Sequence, residues 1–234
     1  MYKYLIGIVL ALFLLACEKE KIPVSNPVEK TFDLSGFTRI KAGETYHVTV
    51  QQGPAFRILA KGRAEDVADL VVAMEGSNLL SFRYDAFKPD RSRVDIAITL
   101  PSLSNLHLQD AARGEVNGFG QQNTSVRVTL AGTAKCRLNA LPVLVNAFLY
   151  ANSELTLAGT SGDLIVSLLA NAKLHAYEAT FDDVDVYAVA KATAKLKVRK
   201  SLAAFASDQS RIYYKGTPAS VNVEEEGGGK VIRE

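Results

Sequence analysis

Hydrophobic and polar residues alternate along most of this chain, which is the spacing of β-strands. Residues 126–130, 164–168 and 184–188 are clear examples, each an apolar-polar alternation. The runs are separated by short segments rich in Gly, Asn, Ser and Ala. Strands bounded by such turns predict an all-β fold.

Before residue 105 the alternating runs are arranged like hairpins. Residues 46–50 are followed by the turn Gln51-Gln52-Gly53-Pro54 and by a returning run at 56–60. A second such unit comprises 79–84, a turn through 88–90, and 94–100. Helical spacing is found between Arg63 and Met74, where four apolar residues recur on one face. This part of the chain therefore predicts β-hairpins with one short helix.

From Leu106 onward the chain repeats itself at intervals of roughly 20 residues. The repeated unit is a small residue followed by a charged one, at Ala112-Arg113, Ala134-Lys135, Ser153-Glu154, Ala172-Lys173, Ala194-Lys195 and Ser210-Arg211. Short strands at this period predict a β-helix-like solenoid of about five to six repeats, whose neighbours bury each other's apolar faces. Leu155, Leu174 and Leu196 follow their charged residues and are predicted to form one inward stack. The alternative is a large antiparallel sandwich with accidental spacing.

Residues 1–17 have the pattern of an export signal. Lys3 precedes an apolar run from Leu5 to Ala16, which ends at Cys17. A charged start, an apolar core of about 7–15 residues and a small residue at the cut site define such a signal. The small residue before Cys17 resembles a bacterial lipobox, in which the cysteine is acylated. We therefore predict lipid attachment at Cys17; the alternative is an ordinary signal with an incidental cysteine.

The residues after Cys17 predict a tether. The cluster Glu18-Lys19-Glu20-Lys21 resembles export tags of Bacteroidetes lipoproteins on the outer face of the outer membrane, and the alternative is a solvated linker start. Pro23 and Pro27 favour a spacer. We divide the chain into signal 1–17, linker 18–31, hairpin region with a short helix 32–104, and β-helix repeats with a C-terminal strand 105–234. The last two regions are predicted to form one continuous domain.

Composition narrows the function classes. The chain is 48% hydrophobic and 22% charged, with a formal net charge of +2. A balance this close to neutral gives no indication of nucleic-acid binding. With Cys17 acylated, Cys136 is the remaining cysteine, so no disulfide forms within the chain. We interpret Cys136 as a small buried apolar residue, because no histidine lies near it in sequence to activate it.

Five segments, taken in order, resemble one known family. They are GFTRIKAGETYHVTVQQGPAFRILAKG, LPSLSNLHLQDAARGEV, AGTAKCRL, LLANAKLHAY and VEEEGGGKVIRE. Together they resemble the head GIN domain, a domain of unknown function, over roughly residues 32–234. The resemblance implies a β-helix-like body in secreted or lipid-anchored proteins of Bacteroidetes-like bacteria. It brings no established catalytic residues to this chain.

No constellation of catalytic or metal-binding residues stands out. His47, His107 and His175 lie far apart and have no metal-ligand spacing with Cys136. The acidic cluster 182–185 lacks the glycines and the nonapeptide period of calcium β-rolls, so we interpret it as a solvated turn. We predict no catalytic residues, no metal and no cofactor. Paired carboxylates brought together from distant turns would not be visible in the sequence.

Strand alternation predicts a basic column on one outer face. Its members are Lys135, Arg137, Lys173, His175, Lys195, Lys197, Arg199 and Arg211, continued by Lys215 and interrupted by Glu154. Like charges on strands about 4.8 Å apart repel, so a surface that keeps them is a candidate for binding an anionic glycan or lipid head group. The alternative is that long side chains extend into screening solvent without a ligand.

The same alternation predicts an apolar stripe facing away from the interior. It comprises Phe148, Tyr150, Ile165, Leu169, Tyr187, Val189 and Phe205. Sheets that are apolar on both faces are usually covered on both. Three alternatives stay open for what covers this stripe: the N-terminal hairpins, a second subunit, or an external ligand.

These observations favour a non-catalytic, lipid-anchored envelope protein whose β-helical body presents a binding, adhesion or protein-interaction surface. Its expected partners are the membrane through the anchor, a second copy, and an anionic glycan or envelope protein. One alternative is a polysaccharide-active enzyme, since some lyases use β-helices. Another is a periplasmic scaffold or sensing partner.

Overall fold

The chain folds into one sheet of 18 strands that winds around itself as a β-helix. The computed structural model describes residues 26–85, 88 and 90–234. The stack has about seven turns and carries a few N-terminal antiparallel pairs. The predicted all-β solenoid with N-terminal hairpins and one short helix is therefore confirmed. Among the described residues, no helix has the length and apolar character that a membrane crossing requires.

Parallel strands stack on two flanks of the solenoid, and three long strands bend from one flank to the other. Flank A contains β2 (Arg39–Ala42), β6 (Leu79–Tyr84), β8 (Asn105–Leu108), β10 (Ser125–Leu130), β12 (Leu144–Leu149) and β17 (Ser220–Glu225). Flank B contains β3 (His47–Gln52), β7 (Asp95–Leu100), β9 (Arg113–Asn117), β11 (Lys135–Asn139), β16 (Arg211–Lys215) and β18 (Lys230–Arg233). The bending strands are β13 (Glu154–Leu168), β14 (Lys173–Ala188) and β15 (Thr193–Ala206), whose first parts lie on flank B and whose last parts lie on flank A.

The corner between flank A and flank B also forms a ladder of hydrogen bonds between successive turns. Ala151, Ala170 and Ala190 occupy it with φ of 60°, 66° and 66°, a left-handed conformation that costs an alanine energy. The carbonyl of each accepts a hydrogen bond from the next turn, for example from the N–H of Asn171 to Ala151 at 2.9 Å. The strain is therefore offset by a hydrogen bond that repeats with every turn.

The N-terminal pairings differ from the predicted hairpins. Strand β4 (Arg57–Gly62) does not pair with β3, because β7 lies between them, parallel to β3 and antiparallel to β4. Likewise β6 pairs with β2 and with β5 (Leu70–Glu75), not with β7. The turn residues in the sequence predicted the strands correctly but predicted the wrong partners for them. The reason is that the turns place each strand on the stack and not beside its neighbour in sequence.

The predicted helix from Arg63 to Met74 is correct only in its first half. Helix α1 spans Ala64–Asp69, and the following residues form β5, a true antiparallel hairpin with β6. Val71 and Val72 are β-branched and suit a strand, and the pairing with β6 overrides their helical spacing.

A buried ion cluster fixes α1 at the N-terminal end of the stack. The Asp66 carboxylate is almost fully buried. It accepts the N–H of Ser92 at 3.0 Å and lies 3.1 Å from Arg63 Nε and 3.4 Å from Arg91 Nη1. A carboxylate this deeply buried requires such partners, so the cluster holds the helix to the segment before β7.

Two predicted boundaries change. Strand β1 (Val28–Phe32) pairs with β4, so residues 28–31 belong to the folded body and not to the predicted linker 18–31. Strands β2 and β3 stack in parallel on β8 and β9, so the solenoid begins before residue 105. The signal 1–17, with Cys17, lies outside the described residues, as does the cluster 18–21.

The interior is built from columns of apolar side chains, one per turn. Leu155 lies in register with Leu174, and both are fully buried. Leu196 is also buried, but it lies beside Ala176, while Ala194 lies beside Leu174. The predicted single stack is therefore right for Leu155 and Leu174 and wrong for Leu196.

A column of small buried residues explains the shift. It runs through Ala112, Ala134, Ser153, Ala172, Ala192 and Ser210, all without exposed surface. The repeat thus continues through Ala192-Thr193, in register with Lys173, and not through the predicted pair Ala194-Lys195 two residues later. Both pairs place a small residue inward and a polar one outward, so sequence spacing did not distinguish them.

Candidate functional site

Face A, the outer side of flank A, carries the predicted apolar stripe. Four of the seven predicted residues project from its strands, whose alternate residues fill the core, and Tyr150, Leu169 and Val189 directly follow the ends of β12, β13 and β14. Tyr187 and Ile165 are the most exposed, at 44% and 43%, and Tyr150 and Leu169 are also exposed. Phe148, Val189 and Phe205 are half-buried. Their role as a contact surface stays a prediction.

The stripe is ordered by the register of the strands. Phe148, Ser167, Tyr187 and Phe205 occupy one row across four neighbouring strands. The rings of Tyr187 and Phe205 stack at a centroid distance of 4.7 Å and an angle of 7°. The strand register and this stacked pair thus form an aromatic platform, in which Ser167 lies between Phe148 and Tyr187.

The described N-terminal strands do not cover this platform. Strands β5 and β6 extend flank A beyond β2, at the end of the stack, and β1 and β4 extend flank B. The first of the three predicted covers is therefore wrong for the described residues. A second copy and an external ligand remain.

A shallow groove of about 490 Å³ runs beside the stripe toward the C-terminal end of face A. Its walls include Leu144 and Ile165 and three carboxylates, Asp163, Asp183 and Asp185. Asp183 accepts a hydrogen bond of 2.5 Å from the Ser201 hydroxyl. Within the described part of the chain, no three such side chains are grouped as metal ligands would be.

The acidic cluster 182–185 is split between two environments. Asp182 contacts Arg199 and lies 3.0 Å from Lys200 Nζ. The hydrogen bond from Lys200 is the main cause that lowers the pKa of this carboxyl. Asp183 and Asp185 instead line the face A groove. The cluster is therefore not one site.

A second, polar cleft of about 370 Å³ lies toward the N-terminal end of face A. One row of polar residues crosses four neighbouring strands of this cleft. In order from β2 to β12 it contains Arg39, Asn105, Arg127 and Asn146. The Arg127 guanidinium lies 5.7 Å from the centre of the Phe148 ring, which joins the cleft to the aromatic stripe. The sequence analysis missed this cleft, although Arg39 and Arg127 both occupy outward positions of alternating runs.

Face B, the outer side of flank B, carries most of the predicted basic column, but in a different arrangement. Lys135, Glu154, Lys173, Thr193 and Arg211 form one row. A parallel row contains Arg137, Thr156, His175, Lys195 and Tyr213. Lys197 pairs with Lys215 in a third row, and Arg199 contacts Asp182. The predicted column is therefore spread over several rows, and neutral and acidic residues interrupt the first two.

Carboxylates compensate much of the positive charge on face B. Glu154 lies 2.9 Å from Lys135 Nζ and 3.7 Å from Lys173 Nζ. The hydrogen bond from Lys135 is the main cause that lowers the pKa of Glu154. Arg137 pairs with Glu178 at 2.5 Å. The predicted anion-binding role of this column thus competes with internal ion pairs.

Lys195 lies between two tyrosines. Its Nζ is 6.0 Å from the ring centre of Tyr177 and 5.9 Å from that of Tyr213. Lys215 Nζ is 4.5 Å from the Tyr177 ring, whose hydroxyl donates to Glu234 at 2.6 Å. Burial, and then the Glu234 contact, raise the pKa of Tyr177. These contacts place the ammonium groups of Lys195 and Lys215 close to aromatic rings.

The cysteine and the histidines do not converge on a site. Cys136 is buried in the core, and burial raises the pKa of its thiol to about 12. A thiol with so high a pKa is unreactive. His47 and His175 project from flank B, while His107 lies on flank A, where burial lowers its pKa.

Solved structures share this fold. A putative adhesin from Bacteroides fragilis is 17% identical, with a TM-score of 0.78, covering 91% of this chain and 99% of its own. A putative lipid binding protein from Parabacteroides distasonis is 14% identical, with a TM-score of 0.67 and coverages of 89% and 97%. A putative adhesin from Parabacteroides merdae is 16% identical, with a TM-score of 0.65 and coverages of 89% and 96%. Identities this low show the shared fold alone.

The comparison with families is more specific. No curated protein matches the chain. Residues 36–218 match the family described as "Putative auto-transporter adhesin, head GIN domain". This match covers nearly the whole described body, from just before β2 to just before β17. The chain therefore belongs to the head GIN domain family of putative auto-transporter adhesins.

Proposed function

We propose that this protein is a non-catalytic binding protein of the cell envelope that presents face A to a partner. The carrying observation is the row of Phe148, Tyr187 and Phe205, in which Tyr187 is exposed and the two phenylalanines are half-buried, beside further exposed apolar residues. Contiguous apolar patches on a soluble surface mark interaction sites. Aromatic residues are also enriched where proteins bind partners. The adhesin description of the family supports the same role.

The proposal includes a lipid anchor at Cys17 and residence on the outer membrane, with the body displayed outside. Its support is the lipobox-like sequence, the charged cluster after it, and the envelope role that the family description suggests. Strand β1 joins the stack at its N-terminal end. A tether entering at that end leaves both faces of the solenoid free along their length.

A binding role fits face A better than catalysis of polysaccharide cleavage. The groove carboxylates lie on a shallow, open surface, and Asp183 is engaged by Ser201. A general acid needs a raised pKa, which burial usually supplies. The open groove offers its carboxylates no such burial.

The anchor is tested by replacing Cys17 with Ser in the producing bacterium. We expect loss of the acyl label and release of the protein from the membrane fraction. Protease added to intact cells should degrade the wild-type protein if it is displayed outside. Retention of the label in the Cys17→Ser variant would contradict the anchor, and full protection from protease would contradict surface display.

The binding face is tested with beads that carry the purified protein without its signal. We expect Tyr187→Ser/Phe205→Ser to reduce bead adhesion to polysaccharide- or glycoprotein-coated surfaces by about ten-fold, since a few aromatic residues dominate most interfaces. Tyr213→Ser on face B is the matched control and should adhere as the wild type does. Adhesion unchanged in the face A variant, or lost equally in the control, would contradict the proposal.

A further inference from the structure

We propose that the polar cleft of face A binds an acidic carbohydrate, a saccharide that carries carboxylate or sulfate groups. The inference rests on the proposed function and names the class of ligand for the same face. Its basis is the row Arg39, Asn105, Arg127 and Asn146, in which charged and amide side chains alternate across four neighbouring strands.

The two arginines are exposed and have no acidic partner in the described part of the chain. On face B, by contrast, Lys135, Lys173 and Arg137 all pair with carboxylates. Guanidinium groups form paired hydrogen bonds to carboxylate and sulfate-like oxygens. Because Arg39 and Arg127 are two strands apart, their backbones are separated by roughly 10 Å, which leaves room for a sugar unit between two anion contacts.

The amides between and beside the arginines supply the polar contacts that sugar hydroxyls need. Asn105 lies between the two arginines, and Asn146 lies on the far side of Arg127. The Asn146 Oδ1 atom is buried and has no hydrogen-bond partner among the described residues. An unpaired acceptor of this kind costs free energy. Once the amide turns toward the cleft that Asn146 lines, a ligand hydroxyl would satisfy it. Ser104 and Ser125 add hydroxyl groups to the same lining.

An aromatic ring lies next to the cleft on the side toward the stripe, where the Phe148 ring centre is 5.7 Å from the Arg127 guanidinium. Phe148 follows Asn146 by two residues on β12, so both project from the same face. Its ring offers an apolar surface to the C–H face of a sugar, as aromatic rings in binding sites do. The cleft volume of about 370 Å³ lies within the range of about 300–1,000 Å³ that small-molecule sites occupy.

The surroundings favour a saccharide over a phospholipid, whose head group shares the anionic chemistry. Two surfaces of face A could take acyl chains beside the cleft: the apolar stripe, which is exposed to solvent, and the groove that Asp163, Asp183 and Asp185 line. Acyl chains on either surface would remain open to water, and in the groove they would also lie beside three carboxylates. A chain of sugars needs no such apolar path and can leave the cleft directly into solvent.

The test measures binding of polygalacturonate, chondroitin sulfate and neutral dextran to the purified protein at low salt. We expect the wild type to bind at least one acidic polymer and not dextran. Arg39→Gln/Arg127→Gln should weaken that binding about ten-fold or more, because charge-assisted hydrogen bonds are lost. Arg57→Gln/Arg113→Gln removes the same charge from exposed arginines of flank B that lie outside the predicted basic column, and it should bind as the wild type does. Thermal melting should show that all variants are folded, since the four side chains lie at the surface or are half-buried.

The Asn146→Ala variant distinguishes binding at a specific site from non-specific attraction between charges. We expect a several-fold loss of binding with no change in the salt dependence, because no charge is removed. Failure of the wild type to bind either acidic polymer would overturn the proposal. So would equal losses in the face A and face B variants, or binding to phosphatidylglycerol vesicles without binding to the polymers. If these results contradict ligand binding in the cleft while Tyr187→Ser/Phe205→Ser still reduces bead adhesion, the proposed function of face A stands without the cleft.

Discussion

Face A and face B lie on opposite flanks of one stack and share its interior, but their exposed side chains are arranged differently. On face B, Lys135 and Lys173 share Glu154, and Lys195 lies between tyrosine rings. On face A, Arg39 and Arg127 have no such carboxylate among the described residues, and Tyr187 of the aromatic row is exposed to solvent. Face B pairs several of its cations with carboxylates of the same chain, whereas the two arginines of the face A cleft have none in the described part of the chain.

The difference shows which positions the fold constrains. Inward positions on both flanks must fill one continuous core, so most of them are apolar, and the buried Ser153 and Ser210 are small. Outward positions have no such constraint, because each turn is already held by the parallel ladder. Outward side chains that differ from an ordinary solvated surface are therefore not explained by the fold itself. Binding of a ligand is the simplest explanation for them.

The shared interior is tested first, where the largest effect is expected. Leu174→Ala removes a fully buried side chain next to Leu155 and Ala194. We expect the free energy of unfolding to fall by about 2–5 kcal/mol, as in other cores. Urea unfolding measures it, and the control is Leu169→Ala on face A, an exposed residue expected to cost about 0.5 kcal/mol or less. Equal costs at the two positions would mean that face A is part of a core.

The sequence was sufficient to predict the direction in which side chains point. Alternation placed Ile165 and Tyr187 outward and Leu174 inward, because the period of a strand is fixed by its backbone. The repeat of about 20 residues likewise predicted the solenoid. These properties are local, so a single strand or a single repeat carries them.

Which residues become neighbours on adjacent strands was harder to predict. The predicted repeat passed through Ala194 because Ala192-Thr193 and Ala194-Lys195 both place a small residue inward, and only the pairing of Thr193 with Lys173 distinguishes them. Arg39 was assigned to a hairpin region and so was never aligned with Arg127. Both errors concern pairing between distant segments, which depends on bulges and on the stacking order and not on any local pattern.

An intermediate effect is expected for the aromatic row of face A. Tyr187→Ala removes the ring that stacks on Phe205 at 4.7 Å. Aromatic pairs contribute about 0.5–1.5 kcal/mol beyond their buried area, so we expect a loss of that order by urea unfolding. Tyr187→Phe keeps the ring and should retain the wild-type stability. A loss above about 3 kcal/mol, which is typical of core aromatics, would indicate a structural role for face A and would weaken its contrast with face B.

The smallest effect is expected for the charge compensation on face B. Glu154→Gln removes the carboxylate that Lys135 and Lys173 share. Partly exposed ion pairs contribute about 0.2–1 kcal/mol, so we expect a loss of that size at pH 7 and low salt.

The pKa of Glu154 determines how this contribution to stability should depend on pH. The Lys135 hydrogen bond lowers the pKa of Glu154 from its ordinary value of 4.5. Its contribution is therefore complete above pH 4.5 and disappears as the pH falls through the lowered pKa of the folded state. Urea unfolding of the wild type and of Glu154→Gln should differ at pH 7 and converge in that acidic range. Lys135→Gln/Lys173→Gln, which keeps Glu154 but removes its partners, should lose the same pH-dependent part. A difference between wild type and Glu154→Gln that persisted at acidic pH would mean that Glu154 acts through packing, and that face B is not balanced by its ion pairs.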